Sequence, residues 1–313
     1  MKILIISTNA LGDTYLSASA IQCVKNNLQN AEIHFVTTSE SEFILASLKN
    51  ATIHIINKNI VSIIFVLSKI FKYRFEYVFT FFPGVVNTLF YSIARSKYKA
   101  GYTNYFRVND WYSKNHQITI KKLRHKKDAW KPNDNYLDRI KYVLNAVGFN
   151  ANSLSKKIFD EPESKNPDYV DKIILHVFSR EVPRALTTIL IKRLCEYITL
   201  KYDKKIILIG VAKEIDVELA YYIEKSQIKF LGNLSLNELV KTIYSSQLFI
   251  GVDSFPLHVA DSYNINFIGL FSCTNPSSVL INYNKAIVFN SNSFTEISEE
   301  EFSQTISSNE LFH

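Results

Sequence analysis

Strand-like and helix-like segments alternate along most of this 313-residue chain, and the alternation constrains the fold more than any other feature. Short apolar runs such as KILIIS, near the N-terminus, are typical of buried strands. Each run is followed by a turn and then by a segment whose apolar residues have helical spacing. Repeated strand-helix units of this kind predict α/β structure, with parallel sheets covered by helices on both faces.

The series of strand-helix units is interrupted once, which predicts two domains. The segment DEPESKNPDY at 160–169 is polar, contains two prolines and is typical of a linker. The strand-like run KIILHVF then restarts the pattern. We place the two Rossmann-like domains at 1–158 and 159–313. Since open α/β sheets bind ligands at the carboxyl ends of their strands, we expect the two sheets to face each other across a ligand-binding cleft.

The composition is that of a folded protein with a moderate positive charge. Hydrophobic residues make up 47% and charged residues 21%, and the formal net charge is +7. Such a charge favours an anionic partner, although an ordinary basic surface is an equally simple explanation. The basic runs at 95–99 and 121–127 are either solvated faces or surfaces that steer an anionic acceptor or a lipid. Nucleic acid is not expected as a partner, because no recognised nucleic-acid-binding module is visible.

Several features predict a cytoplasmic location. The cysteines, at positions 23, 195 and 273, are widely spaced and odd in number, as expected of reduced thiols. Polar residues follow the N-terminal apolar run too early for a signal peptide. The longest apolar stretch, at 60–71, contains polar residues and is too short to span a bilayer. We therefore expect neither export nor a membrane-spanning segment, while peripheral contact with the inner face of the inner membrane stays open.

Gly12 and Asp13 follow the first strand, where the first helix is expected to begin. Asp13 is a candidate N-cap, because an aspartate there accepts backbone N–H bonds and suits the helix dipole. On position alone this structural role is favoured. The alternative is a carboxylate that faces the expected cleft and is ionised at neutral pH, since a helix N-terminus lowers its pKa. Such a group can accept the proton of a sugar hydroxyl.

A polar turn follows the first strand of the second domain, in the segment LHVFSREVPRAL. It contains His176, Ser179, Arg180 and Arg184. Hydroxyl groups, backbone N–H groups and guanidinium groups before a helix can together bind an anion. A solvated loop with ordinary arginines is an equally good interpretation of the same residues.

The segment FIGVDSFPLHVADSYNINFIGLF, at 249–271, contains a second candidate anion site. Asp253 and Ser254 end an apolar strand, and Ser254 is a natural N-cap with Pro256 in the first helical turn. The N–H groups of residues 254–257 could hold a phosphate, and His258 could donate a hydrogen bond to it. The alternative is a capped helix with a half-buried histidine. The sequence contains no P-loop, no G-x-G-x-x-G and no Cys/His cluster, and we expect no metal or other cofactor.

Four stretches, in order, resemble the ADP-heptose:lipopolysaccharide heptosyltransferases, glycosyltransferase family nine. They are the opening segment with its Gly-Asp turn, SIARSKYKAGY, NDNYLDRIKYVLNAVGF, and the segment from FLGNLSLNELV to SCTNP. The resemblance implies a GT-B fold and an inverting transfer of a sugar from a nucleotide diphosphate to an anionic glycolipid, without an obligatory metal. The N-terminal domain would bind the acceptor and the C-terminal domain the nucleotide sugar.

The same resemblance implies roles for individual residues. Asp13, preceded by Gly12, matches the general base of the family. The donor-binding positions that match are Ser179, Arg180 and Arg184 in the diphosphate loop, Glu214 as a ribose contact, and Asp253, Ser254 and His258 in the nucleotide-sugar motif.

Two departures from the family keep other functions open. Ser7 stands where a basic residue is usual, and Phe255 stands where glycine follows the Asp-Ser pair. One alternative is a related transferase that uses another nucleotide sugar or another acceptor, such as a capsule or a protein. The other is a non-catalytic protein that binds a nucleotide sugar.

Overall fold

The computed structural model describes residues 1–46, 51–57, 59–103, 135–226 and 228–312. Contacts between Cα atoms divide the chain into two compact units, Met1–Phe159 and Asp160–His313. Both units contain a parallel sheet with helices, so the predicted α/β class is confirmed. The basic run at 121–127 lies outside the described residues.

The first unit is built on a five-stranded parallel sheet. Its strand order is β3-β2-β1-β4-β5. The chain adds β2 and β3 on one side of β1 and β4 and β5 on the other, so the strand order reverses between β1 and β4. In chain order the helices and strands are β1 (Lys2–Ile6), α1 (Leu11–Asn27), β2 (Glu32–Thr38), α2 (Glu42–Ala46), β3 (Ala51–Ile56), α3 (Ile60–Lys72), β4 (Arg74–Thr80), α4 (Val85–Ile93), β5 (Arg95–Gly101) and α5 (Tyr136–Asn145).

The second unit contains a six-stranded parallel sheet with the order β11-β10-β9-β6-β7-β8. This is the strand order of a Rossmann fold, and the reversal lies between β6 and β9. In chain order the elements are β6 (Ile173–His176), α6 (Thr188–Tyr202), β7 (Ile206–Gly210), α7 (Val217–Lys225), β8 (Lys229–Gly232), α8 (Leu236–Ser245), β9 (Leu248–Val252), α9 (Phe255–Ser262), β10 (Phe267–Phe271), α10 (Pro276–Val279), β11 (Ala286–Val288) and α11 (Glu299–Ser307).

The cores explain why these segments form strands and helices. Every residue of β9 and β10 is buried, as expected for strands of a sheet covered on both faces. In the first unit, Val66 and Ile70 of α3 pack with Leu4 and Ile6 of β1 in one apolar cluster. Burial of each such side chain contributes about 1.5–3 kcal/mol to stability.

The basic run at 95–99 is strand β5, which the sequence pattern did not predict. Its three cations, Arg95, Lys97 and Lys99, share one face of the strand, but Arg95 is half-buried and Lys99 is buried, so they do not form one solvated face. Lys97 points to solvent and forms an ion pair with Glu76. Lys99 is buried, and its Nζ atom donates hydrogen bonds to the carbonyl oxygens of Tyr91 and Ser92, 2.6 and 2.9 Å away. Burial lowers the pKa of Lys99 to about 7.

None of the helices in the described part of the chain is both long and apolar enough to cross a membrane. The apolar stretch at 60–71 forms α3, which ends at Lys72.

Candidate functional site

The carboxyl ends of β6 and β9 lie side by side at the point where the strand order of the second sheet reverses. His176, at the end of β6, is paired with Gly251 of β9. Ligands of open α/β sheets bind at such reversal points, because the two flanking loops diverge there and leave a crevice. The loops after β6 and β9 carry five of the residues singled out from the sequence, while His176 ends β6 and His258 lies in α9.

Arg184 joins these two loops through an ion pair. It lies in a short 3-10 turn, Val182–Arg184, and its Nη1 atom is 3.3 Å from Oδ2 of Asp253. Only 5% of Asp253 is exposed, whereas Glu181, the second partner of Arg184 at 3.1 Å, is exposed. Burial opposes the charge of Arg184, but Asp253, Glu181 and the thiol of Cys273 outweigh it and raise its pKa. The guanidinium therefore stays charged.

Ser254 and His176 form a second link across the strand reversal. The Oγ atom of Ser254 lies 3.1 Å from Nδ1 of His176 and donates a hydrogen bond to the carbonyl oxygen of Val252, also at 3.1 Å. With its one proton donated to Val252, Ser254 accepts from His176 Nδ1–H. Burial lowers the pKa of His176 to about 4, so the ring is neutral at pH 7.

Ser254 occupies the N-cap position of α9, but its side chain makes no capping hydrogen bond. The predicted side-chain cap is therefore wrong: the hydroxyl is directed to His176 and Val252 instead. The predicted set of phosphate-binding N–H groups at 254–257 is also too large. Pro256 has no N–H, and the N–H of Leu257 donates to the carbonyl oxygen of Ser254 at 3.1 Å. His258 is buried in α9.

The loop after β10 packs against the loop after β6. The hydroxyl of Ser272 donates to the carbonyl oxygen of Pro183 at 2.8 Å, and Cys273 interacts with Arg184. Ser272 and Cys273 belong to the SCTNP turn, and no local signal in that turn indicates these contacts. Three strand ends therefore contribute to one polar site in the second unit.

The remaining candidates of the second unit lie around this site. Ser179 accepts the N–H of Glu181 at 3.2 Å, which fixes the turn, and Arg180 is exposed. Glu214 ends a 3-10 turn after β7, where its Oε2 atom accepts the N–H of Val211 at 2.7 Å. An added Cβ at Gly210 would lie 3.0 Å from the same oxygen, so the glycine leaves room for this carboxylate.

Gly12 and Asp13 belong to the first unit, and they lie within α1. The predicted turn at these residues is wrong, because α1 begins at Leu11 and its N-cap is Ala10. Asp13 is thus the third helical residue, and the predicted N-cap role does not apply. Its partly exposed carboxylate still lies in the first turn, where the helix dipole favours a negative charge.

The strand reversal of the first sheet is also closed by a polar contact. Oδ1 of Asn87, in α4, accepts hydrogen bonds from the N–H and the hydroxyl of Thr8, at 2.9 and 2.7 Å. Asn9 donates to the carbonyl oxygen of Pro83 at 3.0 Å. Ser7, directly after β1, is fully buried. In the described residues no cluster of His, Cys, Asp or Glu could hold a metal ion.

Two parallel α/β units define a protein with the GT-B fold of glycosyltransferases, as solved structures confirm. The glycosyl transferase family 9 protein from Veillonella parvula has a TM-score of 0.74 at 15% identity, covering 99% of this chain and 97% of that one. The E. coli heptosyltransferase WaaC, solved with ADP-2-deoxy-2-fluoro heptose, has a TM-score of 0.70 at 14% identity, covering 99% and 100%.

Two sequence comparisons find similarity to the heptosyltransferases. Residues 196–307 match the model of glycosyltransferase family 9 (heptosyltransferase). A Campylobacter coli protein, lipopolysaccharide heptosyltransferase 1, is 25% identical over 297 residues, which are 88% of this chain and 84% of that protein. The resemblance found in the sequence is confirmed, and the comparisons support a glycosyltransferase that is similar to the heptosyltransferases.

Proposed function

We propose that this enzyme transfers a heptose from ADP-heptose to a core sugar of lipopolysaccharide or lipooligosaccharide. The observation that carries the proposal is the polar site at the reversal point of the second sheet, within a chain that matches heptosyltransferases. The C. coli relative is named for lipopolysaccharide, and the structure of WaaC contains an ADP-heptose analogue. We expect the reaction to take place in the cytoplasm, where nucleotide sugars are made.

The second unit would bind the donor and stabilise its leaving group. When the sugar-phosphate bond breaks, negative charge develops on the diphosphate of ADP, and fixed positive groups and N–H donors stabilise it. Arg184 is held in place by Asp253 and would direct its remaining donors at the diphosphate, assisted by Arg180 and His258. Glu214 would accept a hydrogen bond from the ribose. None of these steps requires a metal.

The first unit would supply the acceptor site and the base. In this proposal the carboxylate of Asp13 takes the proton of the acceptor hydroxyl as its oxygen attacks the anomeric carbon of the heptose. The bond to the diphosphate breaks on the opposite side, so the configuration inverts. The position of Asp13 in the first helical turn supports this role, since the helix dipole favours a negative charge there.

The test is to incubate the protein with ADP-heptose and a truncated core lipooligosaccharide, and to look by mass spectrometry for the gain of one heptose. Asp13→Asn should reduce transfer by about 10²–10⁴-fold while donor binding is retained. Asp138→Asn is a matched control, because Asp138 is also the third residue of a helix in the same unit, and it should leave transfer unchanged.

Three outcomes would count against the proposal. Equal activity of wild type and Asp13→Asn would exclude Asp13 as the base. Donor binding without transfer would exclude this acceptor. Absence of ADP-heptose binding would exclude the donor, and a panel of other nucleotide sugars would then identify the one used.

A further inference from the structure

The outward face of α3 is apolar, although a surface helix normally turns polar residues to solvent. The opposite side of the helix is already buried, since Val66 and Ile70 pack in the core of the first unit. The exposed fractions of Ile64 and Phe65, in the middle of the helix, are 59% and 58%. The exposed apolar side chains of this helix are Ile60, Val61, Ile64, Phe65 and Phe71.

The neighbouring helix extends this surface. Helices α3 and α4 pack against each other over the same core cluster, which contains Phe90 and Tyr91 of α4. Val85 and Leu89, one turn apart in α4, are exposed. We call the five apolar side chains of α3 and these two of α4 the α3–α4 face. Exposed apolar side chains grouped on two helices that pack together are typical of an interaction site.

The α3–α4 face carries positive charge at one end. Lys69 and Lys72 are exposed in the last turn of α3, and Lys69 Nζ lies 4.3 Å from the ring centre of Phe65. Arg95 lies over the ring of Phe71 at 5.6 Å. Within the described part of the chain, none of these three cations forms an ion pair with a carboxylate. The sequence of α3 contains no Asp or Glu.

We propose that the α3–α4 face binds the surface of an anionic lipid bilayer, with α3 lying in the plane of the interface. Apolar side chains flanked by lysines suit this environment, because the side chains enter the acyl region while the ammonium groups reach the lipid phosphates. The 13 residues of α3 span roughly 20 Å, less than the ~30 Å hydrocarbon core, so the helix lies on the membrane.

The same charges disfavour a second copy of this chain, or another protein, as the partner of the α3–α4 face. In a symmetric dimer built on this face, the lysines of both copies would approach one another without a neutralising carboxylate. The core of a protein–protein interface is depleted in lysine. A bilayer supplies both an apolar layer and the negative charge that this face lacks.

This inference rests on the proposed function and deepens it, because a glycolipid acceptor is presented at a membrane surface. Its test, however, requires no donor, acceptor or turnover.

The full-length protein is mixed with sucrose-loaded vesicles of phosphatidylcholine, alone or with phosphatidylglycerol, and sedimented. Ile64→Asp should weaken binding to the anionic vesicles about tenfold or more. Lys69→Gln with Lys72→Gln should weaken it roughly fivefold per lysine, and only on the anionic vesicles.

Leu200→Asp is the matched control, because Leu200 is 88% exposed on a helix of the second unit and should be irrelevant to binding. A second measurement does not depend on a loss of binding. The tryptophan of Phe65→Trp should be quenched by vesicles that contain brominated lipids, whereas the tryptophan of Leu200→Trp should not be quenched.

Equal binding of wild type and Ile64→Asp, or equal quenching of the two tryptophan variants, would overturn the inference. So would a wild-type dimer in solution that Ile64→Asp converts to a monomer, because the occupant would then be a second copy. Transfer to a lipid-free core oligosaccharide should be unaffected by Ile64→Asp. Failure of that reaction in the wild type, with vesicle binding intact, would contradict the proposed function alone.

Discussion

The guanidinium of Arg184 lies 3.3 Å from the buried carboxylate of Asp253, and this ion pair joins the loops after two adjacent strands of the second sheet. The two residues are far apart in sequence, but parallel pairing of β6 with β9 brings their strand ends together. Asp253 orients Arg184, and Arg184 would contact the donor diphosphate.

Loss of Arg184 should therefore affect both stability and donor binding. For Arg184→Ala we expect the free energy of unfolding to fall by about 1–2 kcal/mol, because a largely buried carboxylate loses a cation that is itself only partly exposed. The dissociation constant of ADP-heptose should rise about tenfold or more. Urea denaturation and calorimetric titration measure the two quantities.

Glu181→Gln is the control for Arg184→Ala. Glu181 is the exposed partner of Arg184, so its loss should cost less than about 0.5 kcal/mol and leave the dissociation constant nearly unchanged. Equal effects of the two substitutions on donor affinity would contradict the assignment of Arg184 to the donor site.

Two histidines with lowered pKa values should make the protein less stable in mild acid. His176 and His54 each have a pKa lowered to about 4 by burial, against about 6.5 when unfolded. The unfolded chain therefore binds more protons between pH 6.5 and 4. The free energy of unfolding is consequently highest above pH 6.5 and decreases as the pH falls. From pH 6.5 to 5 each histidine should contribute a loss of about 1.5 kcal/mol.

His176→Asn tests this assignment by urea denaturation at several pH values. The variant should retain the contribution of His54 and lose that of His176, so its stability should fall less steeply with decreasing pH. A slope identical to that of the wild type would show that His176 is not the group responsible.

Lys99 should extend the same pH dependence above neutrality, because its pKa is also lowered in the folded protein. Its pKa is lowered to about 7 in the folded protein, against its ordinary value of 10.5, because its amine is buried against the last carbonyls of α4. The unfolded chain binds more protons between these values, so stability should rise between pH 7 and 8.5, by on the order of 1 kcal/mol.

Lys99→Met removes the titrating amine and should flatten this rise, as measured by urea denaturation. Lys97→Met, two residues away on the same strand, is the control, because Lys97 is exposed and should leave the slope unchanged. A rise that persists in Lys99→Met would contradict the titration of a buried amine.

The class of fold could be predicted from sequence because alternating strand and helix patterns are local. Strands β5 and β11 were not predicted, since β5 contains three cations and β11 has only three residues. In β5 the buried position of Lys99 depends on the carbonyls that α4 offers, and these are not visible in the pattern of the strand itself.

The residues of the candidate site could be selected from the sequence, but the contacts between them could not. Arg184, Asp253 and Ser254 could be selected from turn chemistry and family resemblance. The partner of Ser254 could not, because His176 is 78 residues away and is brought close only by the non-consecutive strand order. The start of α1 was placed too late, because Ala10 at the N-cap gives no side-chain signal.

The measurement that tests the central claim most directly is hydrogen–deuterium exchange with and without saturating ADP-heptose. We predict slower exchange in the segments 176–186 and 252–258, which carry the polar site at the reversal of the second sheet. The equivalent segments of the first sheet, at 7–13 and 80–87, should change little. Protection confined to the first unit, or none in the second while titration shows that the donor is bound, would contradict the account.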